Sequence, residues 1–419
     1  MTPSRKIAVI HRFGDVVLGG FVDYSRVIDH SRDQVAYFVN ARGRKDIAAV
    51  EPLAAEVHEL AELEAYEPLR AALSDASARL GGFDLLIALS EFDLSHAARL
   101  RSELAIPGVG LDRISLYRDK IVMKERLRRD GIRVPRFLDG ADEEAALAFA
   151  RETGYPLIVK PRRGAASQGV RRAEDERQLR EALRAVHEAG MAGDCQVEEF
   201  VAGPIFHIDG LVKDGELAFY APSQYVGGCL GFAEGRPNGS FIVTDRQELR
   251  DRLQRFTEET LRSLELTDGC FHLEVIDRDG REAVFLEIGA RMGGAETPFL
   301  TVDLYGVNLC EEWIRIELGT FEPLQAPQEG VHGGLIQFPE PPGTPAEVVS
   351  VSSLLGVVPE IYDEWTPQPG EILDGKGSYY HISGRYRLRG ESEAAVEKAI
   401  LRAMGLFRIE ARPLAPVEG

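Results

Sequence analysis

The residues best suited to chemistry are two glutamates, Glu274 and Glu287, on what the sequence predicts to be one β-hairpin. Asp279-Gly280 between two apolar-rich runs is a two-residue turn signal, which would set Glu274 opposite Phe285 and His272 opposite Glu287. Glu287 would then lie diagonally across from Glu274 on the same face, about 7–8 Å away. Two carboxylates this close repel unless a cation lies between them, and Mg²⁺ prefers such oxygen ligands. The simpler alternative is a pair of solvated glutamates.

A basic segment over residues 157–172 is the second candidate. It contains Lys160 and four arginines but no Asp or Glu, in a chain whose net charge is −19. Between the arginines lies a loop of mostly small residues, Gly164–Gly169, whose backbone N–H groups can approach phosphate oxygens. The lysine would add a point charge to the same phosphates. The segment predicts a phosphate-binding loop without the Walker pattern, and a flexible surface loop with solvated arginines is the alternative.

Composition restricts the class of protein. A length of 419 residues predicts two to four domains, and 44% hydrophobic with 28% charged residues is typical of a soluble globular protein. The strongly negative net charge argues against nucleic acid and anionic membrane surfaces as partners. The sequence shows no signal peptide and no run long enough to span a membrane. Four scattered cysteines predict reduced thiols in a cytoplasmic protein rather than a zinc site.

Alternating strand-like and helical segments predict the elements that must position these residues. Lys6–His11, Val35–Val39 and Asp84–Leu89 are apolar enough for buried strands, with helices between them, which indicates a doubly wound parallel sheet. The loop after the first strand lacks G-x-G-x-x-G, so a dinucleotide site is not expected. Further along, the pattern predicts one helix over Ser115–Arg129 and an edge strand at Glu198–Val201.

The order of these motifs resembles the ATP-grasp superfamily, and most of all its L-amino-acid ligases that make dipeptides. Lys120 lies in the helix after the first domain, Lys160 ends a strand before the small-residue loop, and Arg291 follows the glutamates in the form Arg-Met-Gly-Gly. The resemblance implies an α/β ATP-grasp fold. Its expected parts are an N-terminal Rossmann-like parallel-sheet domain (1–110), a lid domain with the glycine-rich loop (111–200), a central antiparallel-sheet catalytic domain (201–325) and a C-terminal α+β subdomain (326–419).

The resemblance also implies a role for each matched residue. Glu274 and Glu287 would hold Mg²⁺, with Mn²⁺ as an alternative ion, and Arg291 would be the catalytic residue that stabilises an acyl phosphate. The residues expected to bind ATP are Lys120, Lys160, Gly164, Ser167, Gln168, Gly169, Glu198, Glu199, Phe200, Val201 and His207. The residues expected to contact the substrate are His272, Gly294, Ala295 and Glu296.

Two positions depart from the pattern that many superfamily members share. Gly289 stands where those members carry an asparagine that binds metal, so either water and phosphate complete the metal shell or one of two metals binds more weakly. Ile205 stands where many carry an acidic residue that contacts the ribose, and His207 or Asp209 could replace it.

The implied function is an ATP- and Mg²⁺-dependent ligase that joins a carboxylate, expected to come from an amino acid, to an amine. An acyl phosphate would be the intermediate, and ADP and phosphate would be released. The expected partners are small-molecule substrates and a second copy of the chain in a homodimer. Two alternatives stay open: another ATP-grasp enzyme, such as a purine-pathway ligase or a carboxylase, and an ATP-binding regulatory protein whose catalysis is weakened by Gly289.

Overall fold

The computed structural model describes residues 4–12, 21–164, 169–228, 231–232, 234–325, 330–341, 345–374 and 381–414. Two residues predicted to bind ATP, Ser167 and Gln168, lie outside these ranges. Within the described ranges, no helix combines the length and the apolar character needed to cross a membrane.

A parallel four-stranded sheet forms the N-terminal part of the fold, as the sequence predicts. Its strands are in the order β3-β2-β1-β4, and their residues on both faces are largely buried because helices cover the sheet. The strands are β1 (Lys6–His11), β2 (Gln34–Val39), β3 (Glu56–Glu59) and β4 (Leu85–Ala88). The helices are α1 (Tyr24–Val27), α2 (Ala41–Asp46), α3 (Tyr66–Leu80) and α4 (Leu94–Glu103).

The single helix predicted over Ser115–Arg129 is wrong, because two helices occupy the segment. Helix α5 (Leu111–Arg118) ends at Asp119, whose backbone is extended, and α6 (Lys120–Arg129) begins directly after it. The Asp119 carboxylate accepts hydrogen bonds from the first free N–H groups of α6, as aspartate does at helix starts. This break makes Lys120 the first residue of a new helix and directs it toward the cleft described below.

A second, antiparallel sheet has the strand order β5-β8-β6-β7, with α7 (Glu143–Thr153) and α8 (Glu176–Glu188) packed against it. Its strands are β5 (Phe137–Asp139), β6 (Leu157–Pro161), β7 (Arg171–Ala173) and β8 (Cys195–Glu199). The predicted edge strand is therefore wrong: β8 lies between β5 and β6 and ends at Glu199. The three-residue strand β5, too short to show a period in the sequence, covers the expected edge.

An eight-stranded antiparallel sheet forms the largest part of the fold, in the order β13-β12-β9-β10-β11-β14-β18-β16. The strands are β9 (Ile205–Lys213), β10 (Glu216–Val226), β11 (Asn238–Ile242), β12 (Gly269–Arg278), β13 (Glu282–Gly289), β14 (His332–Pro339), β16 (Ile361–Trp365) and β18 (Ile382–Gly390). The last three lie beyond residue 325, so the sheet crosses the boundary expected between the central and C-terminal domains. A small sheet joins β15 (Ala346–Val351), β17 (Ile372–Leu373) and β19 (Ile409–Pro413).

Four helices cover the large sheet: α9 (Gln247–Ser263), α10 (Thr297–Tyr305), α11 (Leu309–Leu318) and α12 (Glu393–Leu406). Val396 and Ile400 of α12 pack on Ile336 and Tyr386 in one apolar cluster, and Leu300 and Leu304 of α10 pack on Leu335 in another. Ile336 and Leu335 are consecutive in β14, so the two helices cover opposite faces of the sheet.

The hairpin of β12 and β13 has a different register from the predicted one. Its loop contains three residues rather than two, with Arg278 paired to Glu282, and a bulge follows between Glu274 and Val275. Together these shifts place Glu287 directly opposite Glu274, and Gly289 rather than Glu287 opposite His272.

Candidate active site

A cleft between the β6–β8 sheet and the large sheet brings many of the predicted residues together. It encloses about 930 Å³ of empty space, including solvent at its mouth. Its polar lining comprises Lys120, Lys160, Gly164, Glu198, Glu199, Glu274 and Glu287, and its apolar lining includes Pro135, Ile158, Val170, Phe200, Val201, Ile205, Ile276 and Leu286. An apolar wall beside a charged one suits a ligand that carries a flat ring system at one end and charged groups at the other.

The two glutamates at the charged end are arranged as a divalent cation requires. Directly paired residues on neighbouring antiparallel strands have Cβ atoms about 4.5–5.5 Å apart, so the two side chains can reach one ion. Lys120 Nζ lies 3.2 Å from Glu287 Oε2, and the Tyr225 hydroxyl donates to Glu274 Oε1 at 2.9 Å. Although burial opposes the charged form, Lys120 and Lys160 lower the pKa of Glu287 to about 2. This donor set of hard oxygens fits Mg²⁺.

Two lysines share one buried carboxylate at the side of the cleft. Lys160 Nζ lies 2.6 Å from Glu198 Oε1, and Lys124 contacts Glu198 Oε2 and donates to Gln196 Oε1 at 2.9 Å. Burial lowers the pKa of Lys124 to about 7, because one carboxylate cannot fully compensate two buried ammonium groups. The Glu198 side chain, expected to bind ATP, bonds two lysines instead, while Val201 and its neighbours line the cleft.

Lys124 is a residue that the sequence analysis missed. The available signal was its position four residues after Lys120, which puts both lysines on one face of α6. Its side chain is fully buried and contacts Glu198, which lines the cleft.

Two arginines of the basic segment, Arg162 and Arg163, are paired with carboxylates. Arg162 bonds Asp119 at 2.7 Å and Asp139 at 2.9 Å, and Arg163 bonds Asp119 at 3.0 Å. The charge that faces the cleft comes from Lys120 and Lys160. Lys120 Nζ also donates to the Gly164 carbonyl at 2.9 Å, so it touches the start of the small-residue loop. Gly169, at the other end, has the left-handed φ of +71° that favours glycine.

Comparison with known proteins agrees with this arrangement. Residues 117–295 match the family model of the ATP-grasp domain. The chain carries an ATP-grasp domain. Over 306 residues it is 26% identical to an L-arginine-specific L-amino acid ligase of Bacillus subtilis, a match that covers 72% of this chain and 73% of that protein. It is 27% identical over 330 residues to a phosphoribosylamine–glycine ligase of Xanthomonas campestris, covering 73% of this chain and 72% of that protein.

A solved structure supports the fold over the whole chain. The crystal structure of an L-amino acid ligase from Bacillus licheniformis matches with a TM-score of 0.74 and 19% identity, covering 98% of this chain and 99% of that one. At this identity the likeness shows the fold alone. The ATP-grasp resemblance and the mixed α/β fold expected from the sequence are confirmed.

Arg291, which follows β13, is held by a residue that follows β4 of the N-terminal sheet. Its Nε donates to Glu91 Oε2 at 2.6 Å, and Arg118 bonds the other oxygen of the same carboxylate. Burial would raise the pKa of Glu91, but Arg291 and Arg118 outweigh it and keep the pKa below its usual value. A Cβ built on Gly289 would lie 3.4 Å from Glu91 Oε2, so the glycine leaves room for this carboxylate. The sequence analysis did not find Glu91, because nothing local to residue 91 indicates a partner 200 residues away.

Two predicted residues, His207 and His272, belong to a buried network on β9 and β12. His207 Nδ1 lies 2.7 Å from Asp209 Oδ2 and its Nε2 lies 2.6 Å from Ser240 Oγ, while His272 Nδ1 lies 2.9 Å from Asp209 Oδ1. His207, expected to bind ATP, is 2% exposed and does not line the cleft. Burial would lower the pKa of His272, but Asp209 raises it to about 9. His272 Nε2 is 3.6 Å from Glu274 Oε1, so the network extends to one of the two glutamates predicted to bind metal.

The three residues after Gly293 were expected to contact substrate. A Cβ built on Gly294 meets no atom within 4 Å, and Ala295 has a left-handed φ of +58°. Glu296 is fully buried, and its Oε1 accepts from Arg385 NH1 at 2.5 Å. Its Oε2 lies 3.3 Å from Nε of Arg387. The Glu296 carboxylate is thus directed at two arginines of the C-terminal part rather than at open space.

Proposed function

We propose that this chain is an ATP- and Mg²⁺-dependent ligase that joins the carboxylate of an amino acid to an amine through an acyl phosphate. One observation carries the proposal: Glu274 and Glu287 are directly paired at the charged end of a cleft that also presents Lys120 and Lys160. Such a site suits a nucleotide whose phosphates bring their own divalent cation.

Each side chain has a part in this reaction. Glu274 and Glu287 would hold Mg²⁺, which when bound neutralises charge on the phosphates. Lys120 and Lys160, now paired with carboxylates, turn to phosphate oxygens. Arg291, fixed by Glu91, stabilises the charge that develops when the substrate carboxylate attacks the γ-phosphate and when the amine attacks the resulting acyl phosphate. Because the reaction is accelerated by position and charge, no strong general base is required.

The names of the relatives support the choice of substrates. One L-amino acid ligase, from Bacillus subtilis, is similar in sequence over most of the chain, and another, from Bacillus licheniformis, has a similar fold over nearly all of it. The phosphoribosylamine–glycine ligase keeps a second candidate in view, in which the amine belongs to a sugar phosphate rather than to an amino acid. Both candidates share the carboxylate, the nucleotide and the metal, and they differ only in the amine.

The test is phosphate release from ATP and Mg²⁺ in the presence of all pairs of the twenty amino acids, with phosphoribosylamine plus glycine as a separate arm. We expect release that requires a specific amino-acid pair, with an amide product detected by mass spectrometry. Glu287→Gln should abolish it, because one metal carboxylate is lost. Glu282→Gln is the matched control, since Glu282 lies on the same strand and its side chain is 46% exposed.

The outcomes separate the candidates. Release with phosphoribosylamine and glycine alone would replace the amino-acid ligase with the second candidate. Tight ATP binding without release in any arm would contradict the ligase proposal and favour a regulatory ATP-binding protein. Equal activity of Glu287→Gln and Glu282→Gln would exclude the paired glutamates as the metal site.

A further inference from the structure

One face of the eight-stranded sheet connects the metal glutamates to the C-terminal arginines. Residues paired directly across neighbouring strands share a face, as do residues two apart in one strand. Glu274 on β12 pairs with His207 on β9, and His207 pairs with Ser223 on β10. Two residues after Ser223, Tyr225 pairs with Ser240 on β11. From Asn238, two residues before Ser240, the row continues through Gln337 to Arg385 and Trp365. Arg385 therefore stands on the same face as the metal ligands.

The sheet curls so that the two ends of this row approach each other. A Cβ built on Gly293 would lie 3.1 Å from His272 Nδ1, which places Gly293 beside the metal strand. Only three residues later, Glu296 bonds Arg385. Three residues span at most about 10 Å, so the Arg385 guanidinium lies within reach of a substrate held at the metal glutamates.

The concave face contains polar groups whose hydrogen-bonding capacity is unused. Gln337 is 1% exposed, and neither its amide nitrogen nor its amide oxygen has a hydrogen-bond partner among the described residues. Arg385 Nε also lacks one there, although its NH1 bonds Glu296 and the ring centroids of Phe299 and Trp365 lie within about 6 Å of its guanidinium carbon. Buried polar groups without partners are costly, and their occurrence side by side points to a polar ligand.

We propose that Arg385 and Gln337 bind the free α-carboxylate of the amino acid that supplies the amine, so that they select an amino acid as acceptor. The inference rests on the proposed ligase function and adds the identity of the acceptor site. Glu296 and the two aromatic rings hold the guanidinium in place. The guanidinium contributes charge, and the amide donates a further hydrogen bond.

The carboxylate in question is that of the acceptor rather than that of the donor. The donor's carboxylate is consumed at the γ-phosphate, where Arg291 already faces the developing charge. An acceptor amino acid keeps its α-carboxylate, which needs a cation beyond the reaction centre. Arg387 is less available, because it contacts Asp303 and Asp363 as well as Glu296.

The test compares Arg385→Gln with the wild type in phosphate release, using the amino-acid pair that the wild type accepts. We expect the KM for the acceptor to rise about 10- to 100-fold, as for a lost charge-assisted hydrogen bond, with little change in the KM of ATP and of the donor. The wild type should prefer the acceptor to its carboxamide, and the variant should lose this preference. Arg389→Gln, on the same strand and with its guanidinium over Tyr362, is the matched control and should behave as the wild type.

Hydroxylamine provides the second arm, because it is an amine nucleophile without a carboxylate. Arg385→Gln should form the donor hydroxamate as fast as the wild type, and this also shows that the variant is folded. Loss of hydroxamate formation together with dipeptide formation, or an unchanged preference for the acid over the carboxamide, would overturn the inference. Absence of any amino-acid-dependent phosphate release in the wild type would instead refute the ligase proposal itself.

Gln337→Leu separates binding from stability. Because the amide has no partner, an apolar side chain of similar size should raise the melting temperature while it raises the KM of the acceptor. A variant with a lower melting temperature and an unchanged acceptor KM would show that Gln337 has a structural role only, and this result would contradict the proposed site.

Discussion

Replacing Glu91 by Gln should slow the reaction without weakening ATP binding. The carboxylate joins Arg118 and Arg291, and only 12% of its side chain is exposed. Removing its charge costs Arg291 a charge-assisted hydrogen bond at 2.6 Å, a contact worth about 1.5–3 kcal/mol. If Arg291 meets the developing charge as proposed, this loss is felt only in the transition state and kcat should fall about 10- to 100-fold. Steady-state phosphate release as a function of ATP concentration gives kcat and KM separately.

The controls decide whether the effect acts through Arg291. Glu64→Gln removes an exposed carboxylate of the same domain, paired with Arg12 at 2.8 Å, and should leave kcat unchanged. Glu91→Asp keeps the charge but shortens the side chain, so its kcat should fall between those of the wild type and Glu91→Gln. A kcat of Glu91→Gln within about threefold of the wild type, or an equal loss in Glu64→Gln, would refute the claim that Glu91 positions the catalytic arginine.

Two further perturbations follow from the packing and charge of the site. Gly293→Ala should lower the melting temperature, because the new Cβ would lie 2.3 Å from Asp209 Oδ1. Gly294→Ala is the control, since its Cβ would meet no atom within 4 Å. Equal melting temperatures of the two variants in thermal unfolding would contradict this prediction. Lys124 has a pKa of about 7 in the folded state and of about 10.5 in the unfolded state. Between these two pH values the unfolded chain binds more protons than the folded one, so the free energy of unfolding rises with pH in this range. Urea unfolding at pH 7 and 9 should therefore show a larger gain for the wild type than for Lys124→Met, and equal gains would mean that Lys124 stays charged beside Glu198.

Local patterns predicted most of the elements, because buried strands and capped helices leave a period or a cap in the sequence. The strand Lys6–His11 has the expected bounds, and the strands predicted at Val35–Val39 and Asp84–Leu89 differ from the observed ones by one residue at one or both ends. The predictions are wrong or incomplete where pairing with a distant strand determines the structure of a segment. The strand Glu56–Glu59 contains two glutamates and no apolar run, and it is a strand because β2 pairs with it. The edge strand expected at Glu198–Val201 became central for the same reason.

In the candidate site too, residues of one local segment could be predicted, whereas contacts between distant segments could not. The sequence predicted Glu274 and Glu287 as a pair, because both lie on one predicted hairpin. Their exact register depended on a three-residue loop and a bulge, which the Asp-Gly signal alone does not distinguish from a two-residue turn. Glu91 and the link from Glu296 to Arg385 could not be predicted, since each joins segments about 90 to 200 residues apart.

The charges of the cleft would allow an acidic chain to accept the anionic nucleotide of the proposed function. The charged side chains that line the cleft are Lys120, Lys160, Glu198, Glu199, Glu274 and Glu287. Lys124 and Arg133 pair with Glu198 and Glu199, so basic side chains offset much of the carboxylate charge there, although the whole chain carries −19. Lys120 and Lys160 keep the pKa of Glu287 low, so this carboxylate is ionised before any ligand arrives. When a nucleotide binds together with its cation, Lys120 can pair with a phosphate and Glu287 can bind the cation. Binding would therefore replace the single Lys120–Glu287 ion pair with two favourable charge contacts. A nucleotide without a metal ion would draw Lys120 away and leave Glu287 as an unpaired, partly buried carboxylate, which is costly. The site would therefore favour the metal–nucleotide complex over the free nucleotide.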